Sequence, residues 1–146
     1  MANDTIHPMK IRRYQSIKAW QFADDLAVSV YEATKTFPRM ELYGMVQQMR
    51  RCAVSVAANI AEGANRHSRK EYVQFLSIAR GSLAELRYYV HLANRLGYLK
   101  QEEHRQLDQQ CDEAARVLYG LMRSVAEGSD GAHPDPSPSV SLVADV

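Results

Sequence analysis

Two cysteines and five histidines are the first residues to consider for chemistry in this 146-residue chain. A di-iron site in a helical protein needs Glu-x-x-His pairs, and no histidine here has a glutamate three residues before it. The sequence also lacks H-E-x-x-H, C-x-x-C and a phosphate-binding glycine loop. No histidine shares an apolar helical stripe with Cys52 or Cys111, so neither thiol has a base to activate it. We therefore expect no catalytic residue, no metal and no cofactor.

The basic residues are the other candidates for function. All 18 Lys and Arg lie between Lys10 and Arg123, a stretch with 12 acids and hence a net charge of +6. Such a charge is compatible with an anionic partner, because Lys and Arg can replace the counterions of a phosphate backbone. The candidate nucleic-acid-binding residues flank the first helix, the middle of the second and the loop that follows it. They are Arg12, Arg13, Lys18, Arg50, Arg51, Arg66, Arg69 and Lys70.

The elements that must position these residues are helical, because apolar residues recur every three or four positions throughout. We call each such line of apolar residues on one face of a helix a seam. The first seam runs from Ala19 to Phe37, and Pro38 ends its helix. The second runs from Leu42 to Ile60, with Gly63 as the expected C-cap of its helix. A capping box, Ser68 with Glu71, opens the third helix, and Gly97 ends it. The fourth seam extends from Leu107 to Val125. These seams predict an all-α, antiparallel up-down-up-down four-helix bundle.

The domain organisation follows from the same patterns. Residues 1–15 are predicted to be a flexible N-terminal segment, 16–126 the bundle, and 127–146 a disordered acidic tail rich in Pro, Ser and Asp. Cys52 and Cys111 lie on apolar seams and are expected to be buried free thiols. Without a leader or a long apolar run, we expect a cytoplasmic protein that does not associate with membranes.

The second helix contains an unusual stretch of small residues, RRCAVSVAANIAEGANR. No charged side chain lies between Cys52 and Ala61, so this part of the helix has no face suited to water. A single bundle cannot cover it on all sides, and we expect a second subunit to do so, with Ser55, Asn59 and Glu62 hydrogen-bonding in the contact. The alternative is the central helix of a monomer with alanines on its outer face.

The third helix contributes two further expectations. Gly81, in mid-helix, indicates a close packing contact, because glycine there costs about 1 kcal/mol relative to alanine. Glu85, if it faces inward, needs a basic partner, for which Arg50, Arg51 and Arg80 are the candidates. The alternative for Glu85 is a solvated position at the edge of the seam. The predicted subunit-interface residues are Ser55, Ala58, Asn59, Glu62, Arg80 and Glu85.

Three motifs carry a family resemblance: FPRMELYGMVQQMRRCAVSVAANIAEG, SRKEYVQFLSIARGSLAELRYYV and ANRLGYL. The chain resembles the four-helix-bundle family encoded in intervening sequences of bacterial large-subunit ribosomal RNA genes, over about two thirds of its length. This resemblance implies a non-enzymatic protomer assembled into a pentameric ring. It also implies kinship with the accessory variability determinant of diversity-generating retroelements, which assists a reverse transcriptase by binding protein and nucleic acid. The matched signature positions are Asn59, Glu62, Gly63, Arg80, Gly81, Ser82 and Glu85.

Three functions remain open from the sequence. The first is a homo-oligomeric accessory factor, a pentamer, that binds structured RNA or a nucleic-acid-processing protein through the basic residues named above. The second is a ring-shaped protein scaffold whose basic residues only solvate it or pair with acids. The third is a bundle enzyme or small-ligand binder. The salt dependence of RNA binding separates the first two, and metal analysis tests the third.

Overall fold

The computed structural model of the chain describes residues 13–128. Its four α-helices are α1 (Lys18–Thr34), α2 (Gln47–Ala64), α3 (Arg69–Arg95) and α4 (Gln101–Glu127). Short 3₁₀ turns, Arg13–Ser16 and Arg39–Glu41, precede α1 and α2, and a π-turn, Leu42–Val46, leads into α2. Residues 13–128 contain no strand, which confirms the all-α prediction. Most of the predicted N-terminal segment and of the predicted acidic tail lies outside the described residues.

Each helix packs against two others. α2 contacts α1 and α3, whereas α4 contacts α3 and α1. The loops at one end meet through the rings of Phe37 and Tyr98, whose centroids are 5.5 Å apart. No helix within residues 13–128 combines the length and the apolar character that crossing a bilayer requires.

The core consists of the apolar seams that the helical period predicts. Every position of the α1 seam is buried, and so is the main α3 seam from Tyr72 to Ala93. On α2 the seam is buried from Val46 to Ile60, but Leu42 is 46% exposed. Burial of this kind stabilises a helix by about 1.5–3 kcal/mol per large side chain, far more than helix propensity contributes.

The entry to α2 differs from the sequence prediction, which started a regular helix at Leu42. Gly44 has φ −109° and ψ −108°, outside the helical region, and interrupts the helix there. The Glu41 carboxylate accepts a hydrogen bond from the Met45 amide at 3.2 Å, so the new helix start is capped after the interruption. As a consequence Tyr43 points into solvent, 86% exposed.

The other helix ends follow the predicted signals with one correction. Ser68 Oγ accepts a hydrogen bond from the Glu71 amide at 3.0 Å, as expected of an N-cap. Gly97, with φ +75°, follows α3, and the Tyr98 amide donates to the Ala93 carbonyl at 2.9 Å, closing a Schellman motif. Gly63 is not a C-cap, because α2 continues to Ala64 and is capped by Asn65.

Candidate functional site

The predicted nucleic-acid-binding residues lie at separate places on the fold rather than in one patch. Arg12 is outside the described residues. Arg13 lies in the turn before α1, and Lys18 is the first residue of α1; both are exposed. Arg50 and Arg51 lie near the start of α2, whereas the remaining three lie beyond its last residue, Ala64. The length of α2 from Arg50 to its last residue, Ala64, is about 21 Å at 1.5 Å per residue, and it separates the two groups.

Arg50 is engaged within the chain. Its Nε donates to Thr34 Oγ1 at 3.0 Å, and its guanidinium carbon lies 4.5 Å from the centroid of the Tyr31 ring. These contacts hold α2 against α1 and leave Arg50 half-buried. Arg51, the next residue, is exposed and pairs with no acid among residues 13–128.

Of the three basic residues beyond the C-terminal end of α2, one makes contacts within the chain and two do not. Arg66 Nη2 donates to Glu62 Oε1, and the Arg66 guanidinium lies 4.7 Å from the centroid of the Phe75 ring. Arg69 and Lys70, in the first turn of α3, are exposed and have no acidic partner within the described part of the chain. Within residues 13–128, five of the predicted residues therefore present unpaired charge to solvent: Arg13, Lys18, Arg51, Arg69 and Lys70.

The polar residues predicted for a subunit interface make hydrogen bonds within the chain. The hydroxyls of Ser55 and Ser82 are 2.8 Å apart and join α2 to α3. Asn59 Nδ2 donates to the Ser55 carbonyl at 2.8 Å and to Ser55 Oγ at 3.0 Å. Glu62 is already the ion-pair partner of Arg66. Of these contacts, only the one between Ser55 and Ser82 joins α2 to α3, and the others lie within α2 and the residues just after it.

Glu85 takes the alternative position that the sequence left open, at the solvated edge of its seam. Glu85 is exposed, so water solvates its carboxylate, and no arginine pairs with it among residues 13–128. Its carboxylate instead lies close enough to Cys52 to raise the pKa of that thiol. Arg80 lines a cleft on the α4 side of α3, and helical spacing places it about 140° around α3 from Glu85. The two residues lie on different sides of α3, and their place in a subunit interface stays a prediction.

The two thiols are free and buried, as predicted. Burial raises the pKa of Cys52 to about 11, with the Glu85 carboxylate adding to the shift through its charge. Burial likewise raises the pKa of Cys111 to about 12. Both are therefore protonated at neutral pH and poor nucleophiles. No three His, Cys, Asp or Glu side chains within the described ranges are placed to hold a metal ion.

A strip of small and apolar side chains on α2 remains open to solvent. Val54 is 45% exposed and Ala58 is exposed; we refer to these two residues as the α2 strip. The strip borders a groove of about 690 Å³ between α1 and α2, the α1/α2 groove. Its lining comprises Tyr31, Leu42, Tyr43, Val46, Gln47, Arg50, Arg51, Val54 and Ser55. The described chain therefore leaves α2 partly uncovered, as the small-residue stretch predicted.

The structure contradicts the close packing contact expected at Gly81. This glycine is exposed, and a Cβ built there would meet no atom within 4 Å. The close contact predicted at Gly81 is thus not formed within the described chain. The close approach occurs instead at Gly63, where a Cβ would lie 2.8 Å from Phe75 Cβ and from Tyr72 Cδ2.

A feature that the sequence reasoning missed is a second cleft, of about 350 Å³, between α3 and α4. The floor of this α3/α4 cleft is apolar and is formed by Leu83, Ala84, Ala115 and Leu118. Arg80, Arg87 and Tyr119 stand around it. The available signal was the pairing of alanines with arginines one turn away, since facing alanines leave space between two helices.

These features define an all-α protein of four helices, with one helix partly uncovered and unpaired basic residues at its surface. A family model for the 23S rRNA-intervening sequence protein matches residues 15–120, and the chain belongs to that family. A solved structure from Bacteroides thetaiotaomicron, described as a protein with unknown function from the S23 ribosomal protein family, is similar in fold. It has a TM-score of 0.67 and 23% identity, over 72% of this chain and 95% of that one. A search of curated proteins found no match.

Proposed function

We propose that this chain is a non-enzymatic accessory factor that assembles into a pentameric ring and binds structured RNA or a ribonucleoprotein partner in the cytoplasm. Its protomer is an antiparallel up-down-up-down four-helix bundle. The pairing of each helix with two neighbours and the short loops between α2, α3 and α4 support this arrangement.

The observation that carries the assembly is the uncovered face of α2. Val54 of α2 and Leu42 and Tyr43 of the π-turn before it are 45%, 46% and 86% exposed, and all three line the α1/α2 groove. Contiguous apolar surface of this kind marks a contact site in proteins that are otherwise well packed. Ala58 has only a methyl side chain, so a neighbouring helix can approach its backbone closely.

The RNA-binding part rests on Arg51, Arg69 and Lys70, which have no acidic partner among residues 13–128. Each subunit of a ring repeats these three charges, and a repeated band of charge releases more counterions from a phosphate backbone than a single patch does. The name of the matching family refers to an intervening sequence of 23S rRNA, and this link to ribosomal RNA makes RNA the first anionic partner to test.

The test measures the binding of a structured RNA hairpin at several salt concentrations. Binding should weaken with a log–log slope of about −0.7 to −0.9 per phosphate contact. Replacing Arg69→Glu and Lys70→Glu together should abolish binding at physiological salt. The matched control is Arg39→Glu with Arg95→Glu, the same charge change at two exposed arginines that have no ion pair among residues 13–128 and lie at the opposite end of α2 and α3. Equal loss in both double variants, or wild-type binding indifferent to salt, would contradict the proposal.

The protein scaffold remains the second candidate, and one observation favours it. Arg50 and Arg66 are held by contacts within the chain, so two of the predicted RNA-binding residues already have structural partners. A ring that shows no affinity for RNA at low salt would support the scaffold.

A further inference from the structure

The α3/α4 cleft combines an apolar floor with a charged rim. Leu83 and Leu118 are each only 2% exposed, so the floor belongs to the core. Ala84 and Ala115 face the cleft from opposite helices, and their short side chains leave it open. Its volume of about 350 Å³ lies at the small end of the range of roughly 300–1,000 Å³ for small-molecule sites.

Tyr119 forms one wall of the cleft and is 58% exposed. An aromatic ring beside an apolar slot gives a planar ligand a face to stack on. Base–aromatic stacking is tolerant of sequence, because every nucleobase has a π-face.

The rim charge is unbalanced. Arg87 pairs with Asp112, which holds its guanidinium at the rim and neutralises it. Arg80 is exposed and has neither an ion pair nor a hydrogen bond among residues 13–128. The cleft therefore offers a flat apolar slot with a single uncompensated cation beside it. This arrangement matches a ligand with a planar ring and an adjacent anion, which is the chemistry of a nucleotide.

We propose that the α3/α4 cleft binds one unpaired nucleotide of an RNA, with the base against Tyr119 and the apolar floor and the phosphate on Arg80. The inference rests on the proposed RNA-binding function and specifies which RNA feature is recognised. The cleft is built by α3 and α4, whereas the groove beside the α2 strip is built by α1 and α2. A ring contact also uses a second surface of each subunit, and the proposal requires that this second surface is not the cleft, so that Arg80 acts on RNA rather than in the interface.

The test compares a single-stranded RNA 12-mer, the same sequence as a blunt duplex, and adenosine monophosphate. Tyr119→Ala should weaken binding of the single strand on the order of tenfold or more and leave duplex binding unchanged, because stacked duplex bases cannot enter the cleft. Tyr119→Phe keeps the ring and should restore the affinity. Arg80→Ala should lower the salt slope of single-strand binding by about 0.7, the value for one phosphate.

The control is Tyr88→Ala, which removes a tyrosine of α3 that is also 58% exposed but lies outside the cleft lining. If Tyr119→Ala and Tyr88→Ala behave alike while wild-type protein binds RNA, the cleft assignment is wrong and the RNA-binding function stands. If wild-type protein binds neither RNA, the proposed function itself fails. If adenosine monophosphate saturates the cleft as tightly as the 12-mer does, the ligand is a free nucleotide and the assignment to RNA is overturned.

Discussion

The Cys52 thiol lies where the core meets the surface, and its neighbours determine its reactivity. The residue is 5% exposed, and burial is the main reason that its pKa rises to about 11. The Glu85 carboxylate raises the pKa further by its charge, whereas Arg51 lowers it. A thiol with these neighbours is kept unreactive by its environment, and this fits a structural role for Cys52.

Replacing Glu85→Gln should make Cys52 more reactive. The substitution removes the negative charge and lowers the thiol's pKa, so the thiolate fraction at pH 8–9 increases several-fold, since each pKa unit corresponds to about tenfold. The measurement is the rate of iodoacetamide alkylation, followed by peptide mass spectrometry. Cys111, whose pKa is about 12, serves as the internal control in the same molecule. Unchanged alkylation of Cys52 would show that Glu85 does not act on the thiol.

At the level of the helices, the contact between α2 and α3 depends on Gly63, to which the sequence alone assigns the wrong role. A glycine near the end of a helical pattern indicates a C-cap, and the sequence predicts that role for Gly63. Its actual role is set by Tyr72 and Phe75 on the next helix, which pack where its side chain would be. Such a role depends on how two helices approach each other, and no local pattern encodes it.

Gly63→Ala and Gly81→Ala should therefore have opposite effects on stability. Alanine at Gly63 would bring its Cβ within 2.8 Å of Phe75 Cβ and Tyr72 Cδ2, and overpacking of this kind costs about 1–3 kcal/mol. Alanine at Gly81 meets nothing within 4 Å and gains up to about 1 kcal/mol of helix propensity. Urea denaturation at a fixed protein concentration measures both free energies of unfolding. Stabilisation by both substitutions would contradict the packing role of Gly63.

The four helices could be predicted from sequence because their seams are periodic, and burial of the long α3 seam from Tyr72 to Ala93 follows that period. The irregular entry to α2 could not be predicted from sequence, because the apolar pattern continues through Gly44, where the helix is interrupted. The candidate sites were predicted only in part. Whether Arg50 is free or stacked on Tyr31 depends on the approach of α1 to α2, and the α3/α4 cleft depends on which alanines face each other.

At the scale of the whole molecule, the uncovered α2 strip is the surface through which we propose that one chain contacts another. Ala58→Arg should dissociate the proposed ring, because it places a long charged side chain where a neighbouring helix must approach closely. Ala58 is exposed in the isolated chain, so the helical circular dichroism should be retained. Ala126→Arg, the same substitution at an exposed position in the last turn of α4, is the control and should keep the wild-type mass. Light scattering that gives one mass for all three proteins would place the subunit contact elsewhere, or show that the chain is a monomer.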